Sequence, residues 1–292
     1  MTLSEMPILV SDALLWRGMT RDQLESQYRL ANHPDRTPAY ARMAQQSAAT
    51  RSATAWHPIR YGPHPRERIE LYLGQPHAPL FAFIHGGYWR GLEMEMFSYV
   101  AQPFVERGIW VANIEYPLAP EVSVSGITRS CFRALRESVL QVTRLGGAGS
   151  RLVVSGHSAG GHLAAAALAA DRHLAGETPI QLLGSVPISG LFDLEPLRRI
   201  TLNDTLQMDA EEAHRLSPVR AISSTLAPVI AAVGSDETDE FRRQSIDYAE
   251  QLRAAGSQAQ ALLVPGRNHF TVLDALCDPN APLFAATLGL LG

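Results

Sequence analysis

The sequence predicts an α/β fold: a mostly parallel, doubly wound sheet with helices on both faces and a small helical N-terminal arm or cap. Three observations carry this expectation. Near-continuous apolar runs of strand length, such as PLFAFI (79–84) and GIWVANI (108–114), suit strands covered on both faces. Stretches of helical pattern alternate with those runs, which argues for parallel strands joined by crossover helices. The chain has 292 residues, 46% of them hydrophobic and 18% charged. That is ordinary globular composition with length enough for a substantial core, and it is read as one domain over residues 1–292.

The elements follow in order. Residues 1–55 mix charge, Gln, Ala and Pro, and TRDQLESQYRLANHP (20–34) repeats Leu24, Tyr28 and Ala31 at helical spacing, so this part is expected to be a helical arm. From Ile59 onward the texture changes to strands: ERIELYLG (67–74) alternates, and the runs ending at HGG (85–87) and at Glu115–Tyr116 follow. ITRSCFRALRESVLQVTRL (127–145) reads as helix, RLVVSGHS (151–158) as strand and turn, GGHLAAAALAAD (160–171) as helix and IQLLGSVPISG (180–190) as strand. Residues 192–225 are less regular and are expected to pack over the sheet as part of a cap. APVIAAVG (227–234), EFRRQSIDYAEQLRAAG (240–256) and QAQALLVPG (258–266) complete a strand, helix, strand series before a last apolar helix.

A formal charge of −4 with no Lys/Arg run gives no electrostatic reason to expect nucleic acid or an anionic membrane surface as partner. Cys131 and Cys277 are the two cysteines, too far apart and wrongly spaced for a zinc site or a disulfide framework. The segment MTLSEMPILVSDALLWRG lacks a basic region ahead of an apolar stretch, and no apolar run is long enough to cross a bilayer. A cytoplasmic protein acting on a small molecule is therefore expected; a homodimer is allowed.

Open parallel sheets put functional groups in loops beyond the carboxyl ends of their strands, and four such positions carry chemistry. Ser158 lies between Gly156 and Gly160 where an apolar run stops and an alanine-rich run begins. G-x-S-x-G in that context is a sharp strand-to-helix turn that presents a hydroxyl. His85, Gly86 and Gly87 follow one strand run, Asp236 and Glu237 another, and His269 a third. A serine becomes a nucleophile when an imidazole takes its proton, a carboxylate holds that imidazole, and N–H donors await the oxyanion. Of the ten histidines only His269 lies C-terminal to both acids, matching the order serine, acid, histidine of hydrolases built on such sheets. The oxyanion donors are expected to be the N–H of Ala159 and that of Gly87 or Tyr88, with Gly86 and Trp89 beside the substrate. Tyr88 and Trp89 would give an aromatic substrate a wall. His157 and His162 lack ligand partners at metal spacing, and no Lys follows the glycine turn as phosphate binding requires. Neither metal nor organic cofactor is expected.

Taken together, HGGYWR (85–90), EYPLAPE (115–121), GHSAGGHL (156–163), EFRRQS (240–245) and NHF (268–270) resemble the α/β-hydrolase superfamily, in particular its kynurenine formamidase (arylformamidase) and esterase-like group. The resemblance runs from about residue 59 onward, with QYRLANHPD similar to that group's helical arm. It implies an α/β-hydrolase fold and hydrolysis of an ester or aryl formamide, N-formylkynurenine to kynurenine and formate, or else a broad short-chain carboxylesterase activity. It also bears on the acid. The formamidase pattern places it three residues before the Glu-Phe pair, at Glu237, whereas counting from the strand end favours Asp236; the resemblance leans to Glu237 and leaves Asp236 as the alternative. A non-catalytic binding protein on the same fold fits less well, because every position the chemistry needs is filled.

Overall fold

The computed structural model describes residues 14–170, 180–223 and 227–292. Among them, eight strands form one sheet in the order β1-β2-β4-β3-β5-β6-β7-β8. These are β1 (Trp56–Arg60), β2 (Arg68–Tyr72), β3 (Pro79–Ile84), β4 (Trp110–Ile114), β5 (Ala148–His157), β6 (Gln181–Ile188), β7 (Val229–Gly234) and β8 (Ala259–Val264). β2 runs antiparallel to β1 and β4, and every other pairing is parallel. The expected α/β architecture is therefore present, with an antiparallel β1–β2 edge. β1 is the strand that the sequence pattern did not single out. It is short, largely exposed and contains Pro58, features tolerated at a sheet edge but weak as a strand signal.

The apolar runs are strands because both faces are covered. Along β3, Leu80, Ala82 and Ile84 join one buried cluster while Phe81 and Phe83 join the other, the two-residue alternation of a strand with a core on each side. The arm comprises α1 (Arg21–Tyr28) and α2 (Arg36–Ala53). Thr20 and Gln23 cap α1 reciprocally, satisfying donors that a helix start leaves open. The helix stops at Tyr28, so Ala31, at the same spacing as Leu24 and Tyr28, lies beyond it and is exposed.

The short α3 (Gln102–Val105) precedes β4, and the long α4 (Val124–Arg144), capped by Ser123, links β4 to β5. α5 (Ala159–Ala169) follows β5 with Ser158 between them. The irregular stretch after β6 holds three short helices, α6 (Glu195–Arg198), α7 (Asn203–Leu206) and α8 (Ala210–Leu216). α9 (Asp239–Ala254) joins β7 to β8, and α10 (Asp274–Cys277) and α11 (Pro282–Leu291) close the chain. Among the described residues no helix is long and apolar enough to cross a membrane.

Helix and strand backbones approach each other very closely where α5 begins. A Cβ at Gly160 would stand 1.9 Å from the Ile84 carbonyl oxygen at the end of β3, so helix and strand approach more closely than any side chain allows. Gly289 on α11 is the opposite case, exposed and with open space around a built Cβ. Gly160→Ala should therefore cost on the order of 3 kcal/mol, lowering the thermal midpoint by about 6 °C or more. Gly289→Ala should be neutral or stabilising by up to about 1 kcal/mol. Calorimetric or circular-dichroism melting of both variants checks the pair; equal midpoints would show that the close approach is not tight in solution.

Candidate active site

Ser158 occupies the turn between β5 and α5 with φ 57° and ψ −116°, a backbone conformation costly for a residue with a side chain. The surroundings enforce it. Ser158 N–H donates to the Ile188 carbonyl at the end of β6 (2.8 Å), and Ser158 carbonyl accepts the first helical bond from His162 N–H (3.0 Å). The strand before and the helix after are thus both anchored, and the serine between them is nearly buried while lining a cavity.

His269 follows β8 in a turn that Asn268 shapes through its side-chain oxygen, which accepts from Phe270 N–H at 2.9 Å. Its Nδ1 lies 2.7 Å from Glu237 Oε2. The other carboxylate oxygen, Glu237 Oε1, accepts from Ser189 Oγ (2.6 Å) and Gly234 N–H (2.8 Å). Glu237 is only 6% exposed, so a buried charge is met on both oxygens, as such a group requires. Asp236, the alternative from the sequence, is not in this arrangement. It is exposed, it accepts from the neighbouring Ser235 Oγ at 2.7 Å, and its N–H bonds the Arg267 carbonyl. The strand-end turn points residue 236 to solvent and residue 237 inward.

The HGG loop stands beside the serine. Gly87 (φ 115°), Tyr88 (φ 51°) and Trp89 (φ 54°) take the left-handed region in succession. A Cβ at Gly87 would lie 2.1 Å from the Gly91 carbonyl oxygen, so only glycine fits this curl. Gly87 and Tyr88 both line the cavity, and their N–H groups, like that of Ala159, make no hydrogen bond among the described residues. Two expectations need correcting. Trp89 is fully buried, edge-on to the His162 ring at 5.0 Å, and does not line the cavity; the reversed backbone turns its indole into the core. Gly86 also lies outside the cavity wall, pressed against the elbow, where a Cβ would meet the His157 carbonyl oxygen at 2.9 Å.

A buried polar cluster holds that loop, and only the presence of Glu115 in EYPLAPE hinted at it. His85 Nε2 lies 3.0 Å from Glu115 Oε1, which also takes Arg66 Nη2 at 2.7 Å and Tyr116 N–H at 2.9 Å. The Tyr116 ring stacks on His85 at 4.3 Å, and its hydroxyl donates to the His85 carbonyl at 2.9 Å. Burial pushes the Glu115 carboxyl up, but the charge and hydrogen bond of His85 and the charge of Arg66 outweigh it, holding the carboxyl below its ordinary range.

His157, next to the serine, packs its ring 4.6 Å from that of His269. Burial first, and the neighbouring imidazole second, push His157 well below the usual histidine range, so it stays neutral at neutral pH. His162 is lowered to about 4 by burial. Among the described residues no cluster of three or more His, Cys, Asp or Glu is placed to hold a metal ion.

The cavity has a volume of about 490 Å³, within the usual range for small-molecule sites. Ser158, His269, Gly87 and Tyr88 form part of its wall. The arm supplies Tyr28, Tyr40 and Met43, and the irregular segment supplies Ile200 and Leu202. Tyr28 ties these parts together. Its hydroxyl donates to Glu240 (3.0 Å) and accepts from Gln244 (2.8 Å), while its carbonyl accepts from Tyr88 hydroxyl at 2.7 Å. Gln244 in turn accepts from Phe192 and Asp193 N–H. The EFRRQS stretch thus fastens arm, irregular segment and HGG loop to one helix.

The chain is similar to several known proteins. Kynurenine formamidase of Danio rerio is 30% identical to the chain over 95% of its length and 98% of that protein. Isoprenylcysteine alpha-carbonyl methylesterase ICME of Arabidopsis thaliana is 28% identical over 72% of this chain and 55% of that one. A crystal structure from Silicibacter sp. TM1040, provisionally named a thioesterase, is 31% identical and superposes with a TM-score of 0.80 over 91% of this chain and 99% of that chain. A family model of the alpha/beta hydrolase fold matches residues 81–273. That span is more than half of the chain and runs from β3 past His269, and the chain belongs to the alpha/beta hydrolases.

Proposed function

We propose that the chain is a serine hydrolase acting through an acyl-enzyme, and specifically an arylformamidase that converts N-formylkynurenine to kynurenine and formate. The observation that carries the hydrolase reading is the 2.7 Å contact between His269 Nδ1 and Glu237, made in the wall of the cavity that Ser158 also lines. A carboxylate facing Nδ1 keeps the proton there, which leaves Nε2 as the base that takes the Ser158 proton. Ser158 Oγ attacks the substrate carbonyl, and the unpaired N–H groups of Ala159 with Gly87 or Tyr88 receive the oxyanion. His269 then gives its proton to the leaving amine or alcohol, and a water activated by the same imidazole releases the acid.

The formamide specificity draws on the arm. A similarity covering 95% of this chain to a kynurenine formamidase necessarily takes in most of the arm, which places Tyr28, Tyr40 and Met43 in the cavity wall. An aromatic leaving group suits such a wall. The second reading, a short-chain carboxylesterase, draws on the similarity to a plant methylesterase, since one nucleophile, base and oxyanion site cleaves both bond types.

Side-by-side kcat/KM for N-formylkynurenine and a short-chain aryl ester tests the choice. A formamidase prefers the formamide by several powers of ten; preference for the ester with weak deformylation would replace it with the carboxylesterase reading. Ser158→Ala should lower either activity by roughly 10⁴-fold or more. Glu237→Ala should lose roughly 10³- to 10⁴-fold, and Asp236→Ala should stay within about threefold of the parent. Near-parental turnover of Glu237→Ala together with an inactive Asp236→Ala would reverse the assignment of the acid.

A further inference from the structure

The HGG loop keeps an unfavourable backbone over much of its length. Gly87, Tyr88, Trp89 and Leu92 all have positive φ. Three of these carry side chains, and such conformations persist only where the surroundings fix them. The groups that fix them stand outside the cavity wall. Glu115 holds both ends of the segment: its Oε1 lies 3.0 Å from His85 Nε2, and its Oε2 accepts from Met94 N–H at 2.9 Å. Between those ends the Trp89 carbonyl accepts from Ala119 N–H at 2.7 Å. Position 92 is held from another part of the chain, for its carbonyl accepts from Arg66 Nη2.

Arg66 lies in the turn that joins β1 to β2, and that turn is itself pinned. His64 Nδ1 accepts from Arg66 N–H at 3.1 Å, Glu67 Oε2 accepts from His64 N–H at 3.1 Å, and Ser130 on α4 donates to the same carboxylate at 2.8 Å. From this base the guanidinium meets three acceptors. Nη2 reaches the Leu92 carbonyl and Glu115 Oε1, the latter at 2.7 Å, while Nε donates to the Tyr116 carbonyl at 3.1 Å. One side chain, 21% exposed, thereby joins the far end of the HGG loop to Glu115 and Tyr116, which hold its near end. A planar group that is always charged, with donors in a fixed fork, can serve these acceptors together; an ammonium on a flexible stem cannot. The antiparallel edge of the sheet thus delivers a group to the loop beside Ser158.

We propose that Arg66 is a positioning residue for the reaction at Ser158, aiming the N–H groups of Gly87 and Tyr88 at the oxyanion without touching the substrate. The inference rests on the reading of those groups as oxyanion donors. Such donors act over a narrow range of distance and mostly in the transition state. Releasing Leu92 lets the left-handed run relax, so the loss falls on kcat and spares KM.

The test compares the parent, Arg66→Gln, Arg66→Lys and Arg60→Gln on a short-chain aryl ester. Arg60 is exposed on β1 and donates to the His64 carbonyl at 3.3 Å; replacing it removes one positive charge from the same edge and touches no part of the HGG loop. Arg66→Lys keeps a charge beside buried Glu115 and is the variant to read if Arg66→Gln does not fold. In both Arg66 variants kcat should fall roughly ten- to hundred-fold with KM within about threefold of the parent, and Arg60→Gln should match the parent. A pair of inhibitors separates positioning from a general loosening. The Ki of an aryl trifluoromethyl ketone, whose carbonyl carbon accepts Ser158 Oγ to give a tetrahedral oxyanion, should rise by the factor that kcat loses, while the Ki of the matching methyl ketone stays within about threefold. Parental kcat in folded Arg66→Lys, a rise in KM in place of the fall in kcat, or equal weakening of both ketones would overturn the proposal. Absence of Ser158-dependent turnover in the parent would instead sink the hydrolase reading.

Discussion

The close approach of α5 to the carboxyl end of β3 is the constraint on which the rest of the site depends. Gly160 presses on the Ile84 and His85 carbonyls, so the turn carrying Ser158 and the loop carrying Gly87 and Tyr88 are built as one unit. β3 and β5 are register partners up to Ile84 and Gly156, and both then break from strand geometry within two residues. The strained φ of Ser158 and the left-handed run at residues 87–89 are the local cost, offset by the buried sheet and helices on either side. Glu237 and His269 approach from the other side, off β7 and β8, whose parallel pairing reaches Gly234 and Val264 and so sets Glu237 against His269.

Around that centre a set of polar groups supports the loops, although Trp89 Nε1, His157 Nε2 and His162 Nδ1 are buried without a partner among the described residues. Glu115 holds His85 and with it the start of the HGG loop; Ser189 and Gly234 hold Glu237; Tyr28 joins the arm to α9 and to Tyr88. The arm is thereby part of the site's wall. Its attachments are specific: Asn268 beside the histidine donates to Asp35 at 2.6 Å, and Arg42 pairs with Asp274. These bonds tie the arm to the segments that carry His269 and α10.

The fold and the chemistry were legible in the sequence to different depths. The strands covered on both faces announced themselves as apolar runs; strand ends and chain order singled out Ser158 and His269 as candidates, whereas counting from the strand end favoured Asp236 and only the family resemblance leaned to Glu237. β1 did not, because an exposed edge strand needs no apolar pattern. Trp89 was misread: an aromatic beside a glycine loop looks available to substrate until the reversed backbone at residues 87–89 turns it toward His162. Asp236 and Glu237 differ by one position in a tight turn, and only the direction of that turn separates a solvated acid from a buried one. The residues of the cavity wall were not readable from the sequence, since Tyr28, Tyr40 and Ile200 come to one cavity from parts of the chain far apart in sequence.

The central claim is that Ser158 is a nucleophile activated through His269 by Glu237. Labelling with a fluorophosphonate probe, followed by peptide mass spectrometry, tests it most directly because it needs no knowledge of the natural substrate. One covalent adduct is expected, on the peptide containing Ser158, formed much more slowly in Glu237→Gln and at the parental rate in Asp236→Asn. Folded protein that takes no label, or an adduct on another residue, would contradict it.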